Sequence, residues 1–232
     1  MPISVEKVPA GLVSLTKTAA VSLRKQGLAG RRAAVYLVLD RSGSMRGYYK
    51  DGSMQHLAEQ ALALSANLDD DGVVPTIFFD TDAHDAVDIS LDHYTGRINE
   101  LHDALGHMGT TDYAAAMDAV IDHYLDSDAK HPAYVIFQTD GSPDSRRAAE
   151  QTLCKAAKLP LFWQFIGYGD DEFRFLHKLD DLAVPKKRLV DNADFFPAGK
   201  DPKLIPDGVL YDRLMAEFPD WLRAATAAGI IG

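Results

Sequence analysis

Four runs of almost unbroken apolar residues punctuate the chain: "AAVYLVL" at 33–39, "VVPTIFF" at 73–79, "AYVIFQT" at 133–139 and "LFWQFIG" at 161–167. None alternates apolar with polar, which is the pattern of strands buried on both faces of a parallel sheet. Shorter stretches at 86–90 and 187–192 add two candidate strands, the first expected antiparallel at an edge. Between the runs the period changes. Met54, Leu57, Ala58, Ala61, Ser65 and Leu68 recur at helical spacing, "TDYAAAMDAVIDHYL" (111–125) holds no Gly or Pro, and a further helix is expected over 145–157. Strands alternating with helices imply an α/β fold: a doubly wound, mostly parallel central sheet of about six strands, flanked by helices on both faces in a three-layer sandwich.

Two helical segments flank this core. Leu12, Leu15, Ala19 and Leu23 mark one face of an N-terminal extension spanning 1–30, closed by Gly27 and Gly30. Leu210, Leu214 and Phe218 mark a C-terminal segment, 204–232, expected to pack on the sheet domain. Pro219 should open a new helical turn, because it cannot donate to the one before. "KDPKLIPDG" (200–208) reads as a surface connection. With no internal repeat and no boundary between two cores, residues 1–232 read as one domain.

Charge and composition narrow the function. The 24 Lys and Arg against 34 Asp and Glu leave a formal net charge of −10, without any basic block, so wrapping a nucleic-acid backbone is not expected. No apolar stretch is long enough for a membrane helix, and the first residues lack a charged start followed by an apolar run. A soluble, cytoplasmic chain is the expectation. The single cysteine, Cys154, excludes an internal disulfide, fits a reducing compartment and reads as a small apolar residue on a helix. His84, His93, His102, His107 and His123 stand at no metal-ligand spacing. "LDDDG" (68–72) reads as a solvated helix end.

The candidate chemistry lies where the apolar runs stop. "DRSGS" follows the first strand, putting Asp40, Ser42 and Ser44 on a turn outside its carboxyl end, where open α/β sheets bind ligands. Oxygen-only donors select hard cations such as Mg²⁺ or Ca²⁺. Alone the spacing is weak, since it arises by chance in on the order of one chain in twenty of this length. Two further clusters join it: "MGTTDYAAAM" brings Thr111 to a helix start, and "VIFQTDGSPD" brings Asp140 to the end of another buried strand. Each feature has a purely local alternative, with the serines in turn hydrogen bonds, Thr111 as an N-cap and Asp140 in a tight Asp-Gly turn. All three fall on one rim of the expected sheet.

That ordered set, D-x-S-x-S, then a Thr in a G-x-T loop, then T-D-G, resembles the metal-ion-dependent adhesion site of the von Willebrand factor A (vWA) domain, matched by Asp40, Ser42, Ser44, Thr111 and Asp140. "YKDGSMQHLAEQALALSANLDDDG", "FWQFIGYGDDEFRFLHKLDDL" and "VDNADFF" further resemble the version in bacterial tellurium-resistance proteins of the TerF type, which are close to copine-like domains. TerF-type proteins can carry a second domain ahead of this one, whereas about 30 residues precede the first strand here. The resemblance implies that the serines and the threonine bind a divalent cation, Mg²⁺ or Ca²⁺, directly, and that one or both aspartates act through water. It implies a protein partner that presents a Glu or Asp to the metal. Asp144 is expected to cap the helix at 145–157, with a hydrogen bond to metal-bound water as the alternative. The motifs supply no histidine, cysteine or lysine as base or nucleophile, so a binding module is expected and not an enzyme. The alternative is a Mg-dependent hydrolase or phosphatase using Asp40 as nucleophile. Phosphatases of the haloacid dehalogenase type usually carry a second Asp two positions on, where this chain has Ser42.

Overall fold

A computed structural model describes residues 3–232. In chain order the regular elements are α1 (Val13–Lys25), β1 (Ala34–Asp40), α2 (Arg46–Lys50), α3 (Ser53–Leu68), β2 (Val73–Phe79), β3 (Val87–Ser90), α4 (Arg97–Ala104) and α5 (Tyr113–Asp126). They continue with β4 (Ala133–Thr139), α6 (Arg146–Ala156), β5 (Leu161–Tyr168), α7 (Arg174–Asp180), β6 (Ala193–Gly199), α8 (Asp207–Leu214) and α9 (Phe218–Ala227). Six strands form one sheet in the order β3-β2-β1-β4-β5-β6. Only β3 runs antiparallel, at the edge against β2. Every other neighbouring pair is parallel.

The unbroken apolar runs have a direct cause. Along β1, Val35, Leu37 and Leu39 enter one core, with α1, α3, α8 and α9, while Tyr36 and Val38 enter the other, with α5, α6 and α7. A strand covered on both faces has no solvent side on which to carry polar residues. Pro219 falls in the first turn of α9, where its missing N–H costs nothing.

The sixth strand is not where the apolar pattern put it. Residues 187–192 form an irregular segment, and the strand is Ala193–Gly199. The reason is Arg188, which is fully buried. Its Nε donates to the Leu182 carbonyl at 3.0 Å, Nη2 bonds the Asp180 carbonyl, and the same nitrogen meets the Asp191 carboxylate at 2.6 Å. This guanidinium ties the segment to the end of α7 and keeps it out of the sheet. Pro197 is tolerated in β6 because an edge strand has one unpaired side.

From β1 the chain crosses to β2 on one side, and β4 takes up position on the other. That reversal of direction opens a crevice between the carboxyl ends of β1 and β4. Asp40 ends the first of these strands and Asp140 follows the second.

Candidate metal centre

Asp40 is completely buried, and its carboxylate is fully engaged: Oδ1 accepts from the Ser42 backbone N–H at 2.6 Å and Oδ2 from the Thr139 hydroxyl at 2.7 Å. Its carbonyl accepts from Tyr49 Oη at 2.9 Å. No lysine or arginine pairs with it among the described residues, and the adjacent Arg41 is spent on Asp80 instead. Burial pushes the Asp40 carboxyl up to about 7, against the downward pull of its Thr139 and Ser42 hydrogen bonds. The site therefore keeps a buried negative charge held by neutral donors, an arrangement that costs free energy until a positive charge arrives.

In front of Asp40 the side chains are hydroxyls. Ser44 Oγ donates to Asp140 Oδ1 at 3.0 Å. Its one proton is then used, so the 3.1 Å contact between Ser42 Oγ and Ser44 Oγ has Ser42 as donor. Burial also raises the Asp140 carboxyl, with the Ser44 hydrogen bond opposing. Tyr113 Oη lies 3.0 Å from Thr139 Oγ1 and 2.5 Å from the Gly141 carbonyl, which fixes the end of β4 against the start of α5.

Thr111 stands just before α5 but does not cap it. The cap is Asp112, whose Oδ1 accepts from Ala114 N at 2.9 Å and Ala115 N at 3.1 Å. The threonine hydroxyl is therefore free of the local role that its position suggested. Asp144 likewise does not cap α6. Ser145 does, accepting from Ala148 N at 3.2 Å. Asp144 instead grips Thr111 at both ends, with Oδ2 accepting the Thr111 N–H at 3.1 Å and its own N–H donating to the Thr111 carbonyl at 2.9 Å. The correction has a simple cause: Ser145 occupies the extended backbone position that an N-cap requires, one residue later than expected.

The structure thus joins Asp40, Ser42, Ser44 and Asp140 in one hydrogen-bonded chain around the β1/β4 crevice. It brings Thr111 to the same rim through backbone contacts. The Gly43 N–H donates to the Gly109 carbonyl at 3.2 Å, so the serine turn and the threonine loop touch directly. Gly109 cannot be larger: a Cβ there would lie 2.3 Å from Thr81 Oγ1. Every donor in the set is oxygen, and the hydroxyls are neutral, so the residues fit a hard divalent cation.

The other sequence features resolve differently. Arg32 pairs with Asp69 at 3.4 Å and Asp70 at 2.9 Å, while Asp71 caps the Val73 N–H, so the acidic run at 68–72 is a tied helix end. Cys154 is partly buried on α6. Among the described residues, one group of three carboxylates could converge on a cation: Asp180, Asp194 and Glu217, with ligand oxygens within 4.8 Å of one another. The sequence gave no hint of it, because the three come from separate elements with no shared spacing. No helix of the described residues is long and apolar enough to cross a membrane.

A six-stranded sheet of this order, with an oxygen-lined crevice at the β1/β4 reversal, defines a von Willebrand factor A domain. The chain belongs to the vWA-TerF-like family, the vWA domain found in the TerF C terminus, whose family model matches residues 32–231. It is 33% identical over 219 residues to the uncharacterized protein YcbR of Bacillus subtilis (strain 168), a match covering 93% of this chain and 88% of that one. Solved structures share the fold at lower identity. A von Willebrand factor type A protein from Catenulispora acidiphila aligns with TM-score 0.55 and 16% identity, over 80% of this chain and 43% of that one. The manganese-loaded TRAP protein of Plasmodium vivax aligns with TM-score 0.53 and 19% identity, over 79% and 74% of the two chains.

Proposed function

We propose that the chain is a metal-ion-dependent protein-binding module of a bacterial tellurium-resistance or stress-response system, working in the cytoplasm. Ser42, Ser44 and Thr111 would hold a divalent cation, Mg²⁺ or Ca²⁺, with Asp40 and Asp140 behind them acting through water. A bound cation supplies an electrophilic seat with a free position for an anionic oxygen, here a Glu or Asp side chain of a partner protein. The remaining work falls to the chain's own residues. Thr139 and the Ser42 N–H keep Asp40 turned inward, Ser44 and Asp140 orient each other, and Asp144 holds the Thr111 backbone.

One observation carries the reading: a fully buried, unpaired carboxylate with both oxygens occupied stands directly behind outward hydroxyls. The same observation supports binding over phosphoryl transfer, since a nucleophilic aspartate needs a free, exposed oxygen. The manganese in the TRAP structure supports a divalent cation at this position of the fold. The TerF-type family and the single cysteine support the cellular setting. Calorimetry with Mg²⁺, Ca²⁺ and Mn²⁺, followed by pull-down from source lysate with and without EDTA, tests the proposal. Saturable divalent binding lost in Ser42→Ala, and a partner released by EDTA, are the expected results. No divalent binding at millimolar concentration would overturn it.

A further inference from the structure

Arg41 sits between the proposed ligands Asp40 and Ser42 in sequence, yet its side chain points away from them and is completely buried. A buried guanidinium is costly unless its donors are matched, and here they are matched to one particular loop. Nη2 donates to the Gly106 carbonyl at 2.9 Å and Nη1 to the His107 carbonyl at 3.4 Å. Nη1 also meets Asp80 Oδ2 at 2.6 Å, as an ion pair. Nε donates to His102 Nδ1 at 3.3 Å, which leaves the imidazole proton on Nε2, and that ring stacks on Tyr49 at 3.8 Å. Tyr49 in turn donates to the Asp40 carbonyl.

The loop gripped in this way is the one that delivers Thr111. After Gly106 and His107 it is fixed at Gly109 by the Gly43 N–H, at Thr110 by Thr81 Oγ1 at 3.1 Å, and at Asp112 by the Asp80 carbonyl at 2.7 Å. Asp80 is thus shared: its carboxylate balances Arg41 while its carbonyl receives the first residue after Thr111. His84 Nε2, 3.2 Å from Asp80 Oδ2 and 3.4 Å from Arg41 Nη1, closes the network on the outer side.

We infer that Arg41 is a positioning residue of the metal centre, fixing the Thr111 loop from beneath through Gly106, His107 and Asp80, so that cation affinity depends on a side chain that touches neither the cation nor the partner. The inference rests on the metal-binding reading above and assigns the register of its third loop to one guanidinium. Lysine cannot replace it, because one ammonium group cannot reach two carbonyls, a carboxylate and an imidazole in one plane.

Mn²⁺ binding by calorimetry to the wild type, Arg41→Met, Thr111→Ala and the double variant tests it, with Val74→Ala in the β2 core as a control for lost stability. The expected result is a loss of at least about tenfold in Mn²⁺ affinity for Arg41→Met, in the range that supporting residues of metal sites carry. No more than about twofold further loss should appear when Arg41→Met is added to Thr111→Ala, because both act through the same ligand. In the metal-free protein, amide exchange in Arg41→Met should accelerate at Thr110, Thr111 and Asp112, leaving β4 and β5 protected. Val74→Ala should change neither affinity nor those amides. Arg41→Met within about twofold of wild-type affinity, or full additivity with Thr111→Ala, overturns the inference while leaving the metal site standing. No Mn²⁺ binding by the wild type overturns the metal-site reading itself. Should Arg41→Met not fold, Arg41→Lys carries the same cycle and the same criteria.

Discussion

Carboxylates gather at both ends of this sheet, and they are neutralised in opposite ways. Where the strands end, Asp40 and Asp140 are held by N–H and O–H donors, and hydroxyls stand in front of them. Where β6 begins, Asp180 from the end of α7, Asp194 from β6 and Glu217 ahead of α9 confront one another. The positive charge of Arg188 lies close enough to favour ionised Asp180 and Glu217. Three carboxylates look like the richer cation site, yet the guanidinium already supplies part of the charge that a cation would bring. At the other pole no cationic side chain is available, and the hydroxyls are preset around the gap. A count of acids is therefore a poor guide to a metal centre. What separates the two regions is whether the donors are already satisfied by the protein.

The sharpest way to break this comparison is to neutralise one acid in each region. Asp40→Asn should lower divalent affinity roughly 100-fold, the upper range for a group behind the ligands of a metal site. Glu217→Gln should leave it within about twofold, as expected for distant, independent sites. Calorimetry with Mg²⁺ decides, and the reverse ranking would move the metal centre to the β6 end.

A second expectation follows from linkage. If the β1/β4 crevice binds the cation, Mn²⁺ at roughly 100 times its dissociation constant should add ~2.7 kcal/mol to folding stability. For a chain of this size that is a rise of about 5–10 °C in melting temperature. The rise should vanish in Ser42→Ala and persist in Glu217→Gln. Loss of the rise in Glu217→Gln alone would assign the stabilising cation to the acidic triad.

The triad makes its own, smaller prediction through pH. Burial first, then the neighbouring acids, pushes Asp180 and Glu217 each up to about 7. A carboxyl whose folded value is raised binds more protons folded than unfolded, so stability falls as pH rises from about 4 to about 7 and the cost is fully present above that window. Glu217→Gln should therefore raise the melting temperature at pH 8 by a few degrees, with the gain closing towards pH 4. A gain of equal size at both pH values would show that the side chain acts by packing and not by charge.

How far the sequence led differs between the same two regions. The ligand set at the strand ends was legible because each residue is adjacent to a strong pattern: an apolar run stops at Asp40, another stops before Asp140, and a helix begins after Thr111. Arg41 was not legible as more than a neighbour, since nothing local shows that its side chain turns inward to Asp80 and the 106–107 carbonyls. At the β6 end the pattern misled. Leu189 and Val190 suggested a strand over 187–192, but one buried arginine holds that segment to α7, and the acids around it meet only through tertiary packing. Continuous apolar runs report burial on two faces well. They say nothing of a polar network whose partners are dozens of residues apart.

The finest test concerns Asp144, a carboxylate on the metal side whose role is to hold backbone. Its Oδ2 receives the Thr111 N–H, and an asparagine in its place keeps an oxygen acceptor there. Asp144→Asn should consequently weaken Mn²⁺ binding by no more than about threefold, while Asp144→Ala, which removes a hydrogen bond worth roughly 0.5–1.5 kcal/mol, should cost about three- to tenfold. Ser145→Ala supplies the contrast one residue away. It removes the true cap of α6 and about 1 kcal/mol of stability, yet should leave metal affinity unchanged. If Ser145→Ala weakened Mn²⁺ binding as much as Asp144→Ala, the start of α6 would be positioning the site as a whole, and the grip of Asp144 on Thr111 would not be the link between them.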